Sequence, residues 1–149
     1  MHVLLRVAEC NGKPDFEPVL VDRIEGERYR VLFSPGLAYG VAAGDEIEVD
    51  PDGRFKVVAR GGNLAVRFLC ASGTTGIEQK LTEQVVSIGG RLDGRVRNGL
   101  AYTVPATVGR GVIGELFGAA KRETPEALWE YGNVYEEDGQ LMEWLRGEA

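Results

Sequence analysis

Of the residue types that acid–base or metal chemistry uses, this 149-residue chain has 23 acids but only one histidine and two cysteines, and their spacing decides how each is read. Histidine occurs once, as His2, which removes most general-base and metal-ligand arrangements. Gly109-Arg-Gly-Val-Ile-Gly114 matches G-x-G-x-x-G, a pattern that binds dinucleotides when its glycines form the turn before a helix. Here a helix is expected to begin near Thr107, which puts the glycines inside it. No acidic residue is clearly placed to hold a ribose at the end of the next strand, so the glycines read as a small helix face packed on a sheet. Cys70-Ala-Ser-Gly-Thr-Thr would present a thiolate if a helix started there; the plainer reading is a buried cysteine at a strand end. Asp45, Glu46, Glu48 and Asp50 crowd one strand without the spacing of a calcium loop. Ser34, Ser72 and Ser87 have no base near them in sequence.

The last part of the chain is richer. Tyr102, Trp129, Tyr131 and Tyr135 have the stacking surfaces of an RNA-binding sheet, yet lack the basic charge such a sheet needs. They read as core or as a protein-binding face. Residues 123–149 hold eight acids (Glu123, Glu126, Glu130, Glu136, Glu137, Asp138, Glu143, Glu148) against one base, Arg146. That is net −7, so residues 1–122 carry +1 and the chain −6. An acidic end repels phosphate and suits basic surfaces; its plain alternative is a solubilising tail. The candidate partner-binding residues are therefore Glu130, Tyr131, Tyr135, Glu136, Glu137 and Asp138, where clustered charge hastens encounter and aromatic rings supply anchors. A basic protein partner is expected, with no nucleic acid, membrane, metal or cofactor; the oligomeric state stays open.

The elements that must position these residues follow from periodicity. Val3, Leu5 and Val7 alternate as a strand, and Asn11–Asp15 reads as a loop. Glu17–Ile24 and Arg28–Phe33 flank Glu25-Gly26, a tight hairpin. Phe33–Asp50 is broken by Pro35 and by Gly36, Gly40 and Gly44 yet stays apolar at Leu37, Tyr39 and Val41. It is expected to plug one end of a small SH3-like or OB-like barrel of five strands, with Leu37 and Tyr39 buried and Gly40 or Gly44 at positive φ. Glu46–Val49 and Arg54–Arg60, turned by Pro51-Asp52-Gly53, complete that barrel.

After Gly62 the rhythm changes. Leu64–Cys70 is an apolar strand interrupted by Arg67, whose guanidinium is expected to pair with Asp45 or Glu46. Thr75-Gly-Ile-Glu78 has capping-box spacing ahead of Ile77, Leu81, Val85 and Ile88, with Gly89-Gly90 as the stop. Arg91–Arg97 and Leu100–Val104 form a hairpin turned by Asn98-Gly99. A second helix carries Val108, Val112, Ile113, Leu116, Phe117 and Ala120, and Ala127–Tyr135 reads as a last strand. Gln140–Arg146 adds a short terminal helical turn. The order β-α-β-β-α-β is the ferredoxin-like split βαβ pattern. The fold class is thus α+β, with residues 1–62 a barrel-like unit and 63–149 a ferredoxin-like unit with an acidic end.

Composition agrees with a folded protein: 44% of residues are hydrophobic, and no apolar run approaches the roughly 20 residues that span a bilayer. The N-terminus has no signal-peptide pattern, and Cys10 and Cys70 make neither a disulfide framework nor a zinc site. A cytoplasmic protein with free thiols is expected.

Tyr29-Arg-Val-Leu-Phe-Ser-Pro-Gly-Leu-Ala-Tyr-Gly-Val-Ala-Ala-Gly-Asp-Glu-Ile-Glu, followed by Gly62-Asn63 and Val66-Arg67, resembles a bacterial family labelled domain of unknown function forty-two sixty-five. The shared pattern is a leading Tyr-x-Leu, a P-x-x-A-Y-G core, a G-D-x-(V/I)-E that follows it and a later G-(H/N)-x-x-(V/I)-R. The resemblance is strong over about the first 70 residues and looser beyond, with Leu128-Trp-Glu-Tyr-Gly-Asn-Val-Tyr similar to the family's closing strand. Ser34 stands where Ile is usual and Asn63 where His is frequent; if that His is catalytic in relatives, its absence here argues against an enzyme. The resemblance carries no activity. Small acidic members of such families are often encoded beside toxins, which implies an immunity role by analogy.

Three function classes follow. The first is a non-enzymatic binding protein, most concretely an antitoxin-like immunity protein that occludes a basic toxin surface. The second is a small-molecule or nucleotide-binding regulator using a cleft between the halves. The third is an enzyme built on carboxylates or Cys70.

Overall fold

The computed structural model of the protein describes residues 1–96, 98–136 and 140–145, with Glu9 and Cys10 described by their backbone alone. Among the described residues it is an α+β structure of two antiparallel sheets and two α-helices. The first sheet is a meander in chain order: β1 (His2–Cys10), β2 (Lys13–Glu25), β3 (Arg28–Val31), β4 (Glu46–Val49) and β5 (Phe55–Ala59). Asn11 and Gly12 both have positive φ, 54° and 76°, so the segment expected as a loop is a two-residue hairpin that joins β1 to β2. The next turn falls at Gly26-Glu27, one residue later than read from sequence.

The expected closed barrel does not form. β1 and β5 share no ladder; the β4–β5 turn reaches β1, where the Arg6 N–H donates to the Gly53 carbonyl at 2.8 Å. The turn fits because Gly53, at φ +83°, has no Cβ: one would lie 3.0 Å from the Leu4 carbonyl oxygen and 2.9 Å from the Phe16 ring. The sheet therefore curls around Leu5, Val19, Val21, Tyr29, Val31 and Ile47 and stays open.

The second sheet has strand order β7-β8-β6-β9, made of β6 (Asn63–Leu69), β7 (Arg91–Val96), β8 (Gly99–Pro105) and β9 (Leu128–Tyr131). Helices α1 (Glu78–Ser87) and α2 (Arg110–Glu123) cover one face. Period-2 alternation puts Leu64, Val66 and Phe68 of β6 and Leu100, Tyr102 and Val104 of β8 on that face, against Leu81 and Val85 of α1 and Ile113, Phe117 and Ala120 of α2. The opposite parity leaves Ala65, Arg67, Ala101 and Thr103 facing the loop that connects β3 to β4. The last strand is shorter than expected: past Tyr131 the Gly132 N–H still donates to Ala65 O at 2.8 Å, but the Gly132 carbonyl turns to Gly40 N at 2.7 Å. Asn133, fully buried, takes over with its side chain, accepting from Ala65 N and donating to Asn63 O, each at 2.9 Å.

The β3–β4 loop bridges the two sheets instead of plugging a barrel. Ala38, Val41, Ala42 and Ala43 are buried, whereas Leu37 and Tyr39 are 50% and 58% exposed, the reverse of the expectation for those two. Backbone hydrogen bonding explains the inversion. The Glu17 carboxylate accepts the successive N–H groups of Gly36 (2.7 Å), Leu37 (3.0 Å) and Ala38 (2.8 Å). Arg67 donates to the carbonyls of Leu37 and Ala38 from the other side. A main chain gripped this closely on both sides turns the Ala38 methyl inward and leaves the larger Leu37 and Tyr39 side chains outside. Gly40 and Gly44 both sit at φ +90°, as the punctuation of the loop implied.

Among the described residues, no helix is long and apolar enough to cross a membrane.

Candidate functional site

Arg67 stands at the centre of β6 and is buried to 2% exposure. Its ion-pair partner is Glu130 of β9 at 3.5 Å, so the pairing expected with Asp45 or Glu46 is corrected. Geometry gives the reason: Arg67 and Glu130 are cross-strand neighbours in the β6–β9 register, on the face turned to the loop. Asp45 is instead buried at the loop's far end, where it accepts from Ala42 N (2.9 Å), Gly61 N (2.8 Å) and Arg60 Nη1 (3.2 Å). Burial pushes its carboxyl above the ordinary range in spite of those donors. Glu46 pairs with Arg28 at 3.8 Å.

Tyr39 caps this arrangement. Its ring lies over the Arg67 guanidinium, 4.5 Å from ring centre to carbon, and its hydroxyl donates to Glu130 Oε1 at 2.6 Å. Partial burial and the carboxylate beside it push the phenol up. Arg67, Tyr39 and Glu130 thus form a closed triangle of cation–π contact, ion pair and charge-assisted hydrogen bond.

Beside the triangle lies a groove of about 590 Å³ lined by Tyr39, Trp129, Glu130, Tyr131, Tyr135 and Glu136. Four of the six sequence-derived candidates, Glu130, Tyr131, Tyr135 and Glu136, are brought together there; Glu137 and Asp138 lie outside the described residues. Tyr39, expected to be structural, lines the groove too, and Trp129 was read only as part of an aromatic set. Phe117 of α2 stacks on Trp129 at 5.6 Å, and Trp129 meets Tyr131 edge-on at 5.3 Å, which fixes that wall. The Tyr131 hydroxyl donates to the Arg110 carbonyl at 3.3 Å, and burial pushes its pKa up to about 12. Tyr135 is half exposed and Glu136 exposed at the groove's open end. A second concavity along Phe55, Val57, Arg60 and Met142 shares Tyr39, Tyr135 and Glu136 with the first.

The other candidate groups are held in structural contacts. Cys70 is buried at the end of β6, hydrogen-bonded to Ser72 at 3.3 Å and to Glu126 at 3.5 Å, while α1 begins only at Glu78. Thr75 makes no capping box, because α1 starts at Glu78 with Ile77 at its N-cap; Glu78 is engaged by Arg95 of β7 through two charge-assisted bonds, one of 2.8 Å. Gly109, at φ +93°, precedes α2, with Gly111 and Gly114 inside the helix. A Cβ at Gly111 would meet nothing within 4 Å and one at Gly114 only Trp129 at 3.9 Å, so these glycines are not forced by packing. Ser34, isolated in sequence, joins a buried network between the sheets: its hydroxyl meets Thr103 at 2.6 Å and accepts from Ala43 N, and its N–H donates to Asp93 at 2.7 Å. Arg91 pairs with the same Asp93 at 2.7 Å. Among the described residues no three histidine, cysteine or acidic side chains gather as a metal site.

An open meander and a helix-covered sheet, joined by one glycine-punctuated loop, define the class of protein. The chain belongs to the family described as Domain of unknown function (DUF4265), whose model matches residues 17–129. The match extends well past the central stretch that carries the motif resemblance and stops within β9. The crystal structure of a hypothetical protein from Neisseria gonorrhoeae has a similar fold, with a TM-score of 0.68 over 88% of this chain and 92% of the other, at 12% identity. No curated protein matches the chain.

Proposed function

We propose that this is a non-enzymatic binding protein whose acidic, aromatic groove at the end of the second sheet docks a basic protein partner. The observation that carries the reading is the convergence of Tyr39, Trp129, Tyr131 and Tyr135 with Glu130 and Glu136 on one concavity. Rigid aromatic walls supply desolvated anchors, and acidic residues steer a cation toward them. A toxin with a basic surface is the most concrete partner, which makes the protein an immunity protein or antitoxin acting in the cytoplasm. We read residues 63–149 as a ferredoxin-like unit, on the strength of their element order and the strand order β7-β8-β6-β9, and residues 1–62 as a separate unit.

The test uses affinity capture on the full chain, followed by kinetics with the captured protein. Reversing Glu136, Glu137 and Asp138 to lysine should slow association and flatten its salt dependence, with folding intact. Tyr135→Ala should speed dissociation. A cognate partner that binds the triple variant at unchanged rate and affinity would sink the reading. Saturable binding of a small molecule in the groove, with no protein captured, would favour the regulator instead.

A further inference from the structure

The groove is lined by three consecutive residues of β9, Trp129, Glu130 and Tyr131. Successive side chains of a strand point to opposite faces, so a concavity lined by all three runs along the edge of the strand. β9 is an edge: the strand order ends on it, and β6 is its one neighbour. The bond from Gly132 N to Ala65 O sets the phase of the ladder. In an antiparallel pair the inward groups alternate, so Glu130 and Leu128 bond to β6 while Trp129 and Tyr131 turn their N–H and C=O groups outward. No described residue takes up these outward groups.

The other edge of the same sheet is built differently. β7 is broken by a bulge between Leu92 and Gly94 and carries Arg91, Asp93 and Arg95, devices that stop a strand from recruiting a neighbour. β9 has neither bulge nor proline nor lysine, and Leu128 at its start is 64% exposed.

We propose that the free edge of β9 receives an extended, basic segment of the partner protein by strand addition. Main-chain bonds to Trp129 and Tyr131 would supply affinity. The added segment's side chains would alternate between the Trp129–Tyr131 wall and the Tyr39–Glu130 wall, with Glu136 at the mouth receiving a cation. Charge selects this occupant over a second copy of the chain, because a symmetric β9–β9 pairing would oppose two segments of net −7. The proposal rests on the protein-binding reading above and adds to it the mode of recognition and the kind of segment bound.

Peptides selected from a random display library against the full wild-type chain supply the probe. The expected winners are extended and carry Lys or Arg alternating with apolar residues. An N-methyl scan of one such peptide should weaken binding about five- to tenfold at amides of one parity and leave the other parity unchanged, as loss of main-chain bonds requires. On the protein side, Tyr131→Pro deletes an outward N–H without touching the β6 ladder, and should weaken binding more than Tyr131→Val, which keeps that donor. The peptide scan stands even if the proline variant does not fold. Neutral N-methylation at both parities, with binding still sensitive to Glu136→Lys, would remove strand addition and leave the protein-binding reading intact. Failure to select any basic peptide would overturn both. A dimer of the free chain that Tyr131→Pro dissociates would assign the edge to a second copy and overturn the proposal.

Discussion

The guanidinium carbon of Arg67 lies against the face of the Tyr39 ring, 4.5 Å from its centre, while both residues hold the same oxygen of Glu130. One residue comes from the middle of the second sheet and the other from the loop of the first, so the contact ties the two together. Arg67→Met would leave the Leu37 and Ala38 carbonyls without their donor and Glu130 without its cation. The expected loss is about 2–4 kcal/mol in urea titration, and Glu130→Gln should cost a comparable amount, because it leaves the enclosed guanidinium without its counter-ion. A neutral Arg67→Met would contradict the buried placement.

Tyr39 was expected to be core, which would make its truncation cost several kcal/mol. Its exposure of 58% changes the expectation: Tyr39→Ala should cost about 1–2 kcal/mol, the worth of one partly exposed cation–π contact and one hydrogen bond. Tyr39→Phe, which keeps the ring, should recover about half of that. Denaturant midpoints of the two variants against wild type decide it.

Glycines in and around the bridging loop should separate into two kinds. A Cβ at Gly61 would stand 2.4 Å from the Gly44 carbonyl carbon, so Gly61→Ala must push two backbone segments apart and should cost more than about 2 kcal/mol. At Gly40 a Cβ would meet only Met142 Cε, at 3.6 Å. Gly40→Ala should therefore cost about 1 kcal/mol, the strain of positive φ alone. Thermal melts of both variants would show the order.

Tyr131 gives the chain an alkaline weakness. Its phenol is raised from 10.0 to about 12 by burial, so the folded state holds this proton more tightly than the unfolded state does. The associated stability is fully present below pH 10 and is lost as the pH rises through about 12. Tyr131→Phe should flatten that part of the stability profile. An ultraviolet titration of tyrosinate should lose its high-pH component in the same variant; amplitude lost near pH 10 instead would place Tyr131 in water.

Local rules carried much of this architecture. Leu81 and Val85, four apart, mark the buried stripe of α1, and Asn98-Gly99 marks the β7–β8 hairpin to within one residue, since Gly99 already pairs with Val96 as the first residue of β8. The same rule, applied to Asn11-Gly12, gives the β1–β2 hairpin. Glu130, Tyr131, Tyr135 and Glu136 were legible as a set because aromatic residues and acids share one stretch of sequence. Tyr39 belongs with them only through folding. Nothing in its neighbourhood reports that Glu17, twenty-odd positions earlier, captures the loop's N–H groups and turns the ring outward. The partner of Arg67 was missed for a similar reason: cross-strand register, and not proximity in sequence, chose Glu130 over Asp45.

The bridging loop also has a consequence in time. Ser34 meets Thr103 across a separation of 69 residues, and Tyr39 meets Glu130 across 91. Neither bond can form before β8 and β9 exist, and contacts that close such long stretches of chain do so at a high entropic cost. Residues 34–43 are thus expected to order after the rate-limiting barrier. Removing the Tyr39 hydroxyl should then quicken unfolding in stopped-flow mixing and leave the refolding rate unchanged. A segment that settles last is also the first to be released, so the wall of the groove that Tyr39 provides would open on a shorter timescale than the sheets on either side of it.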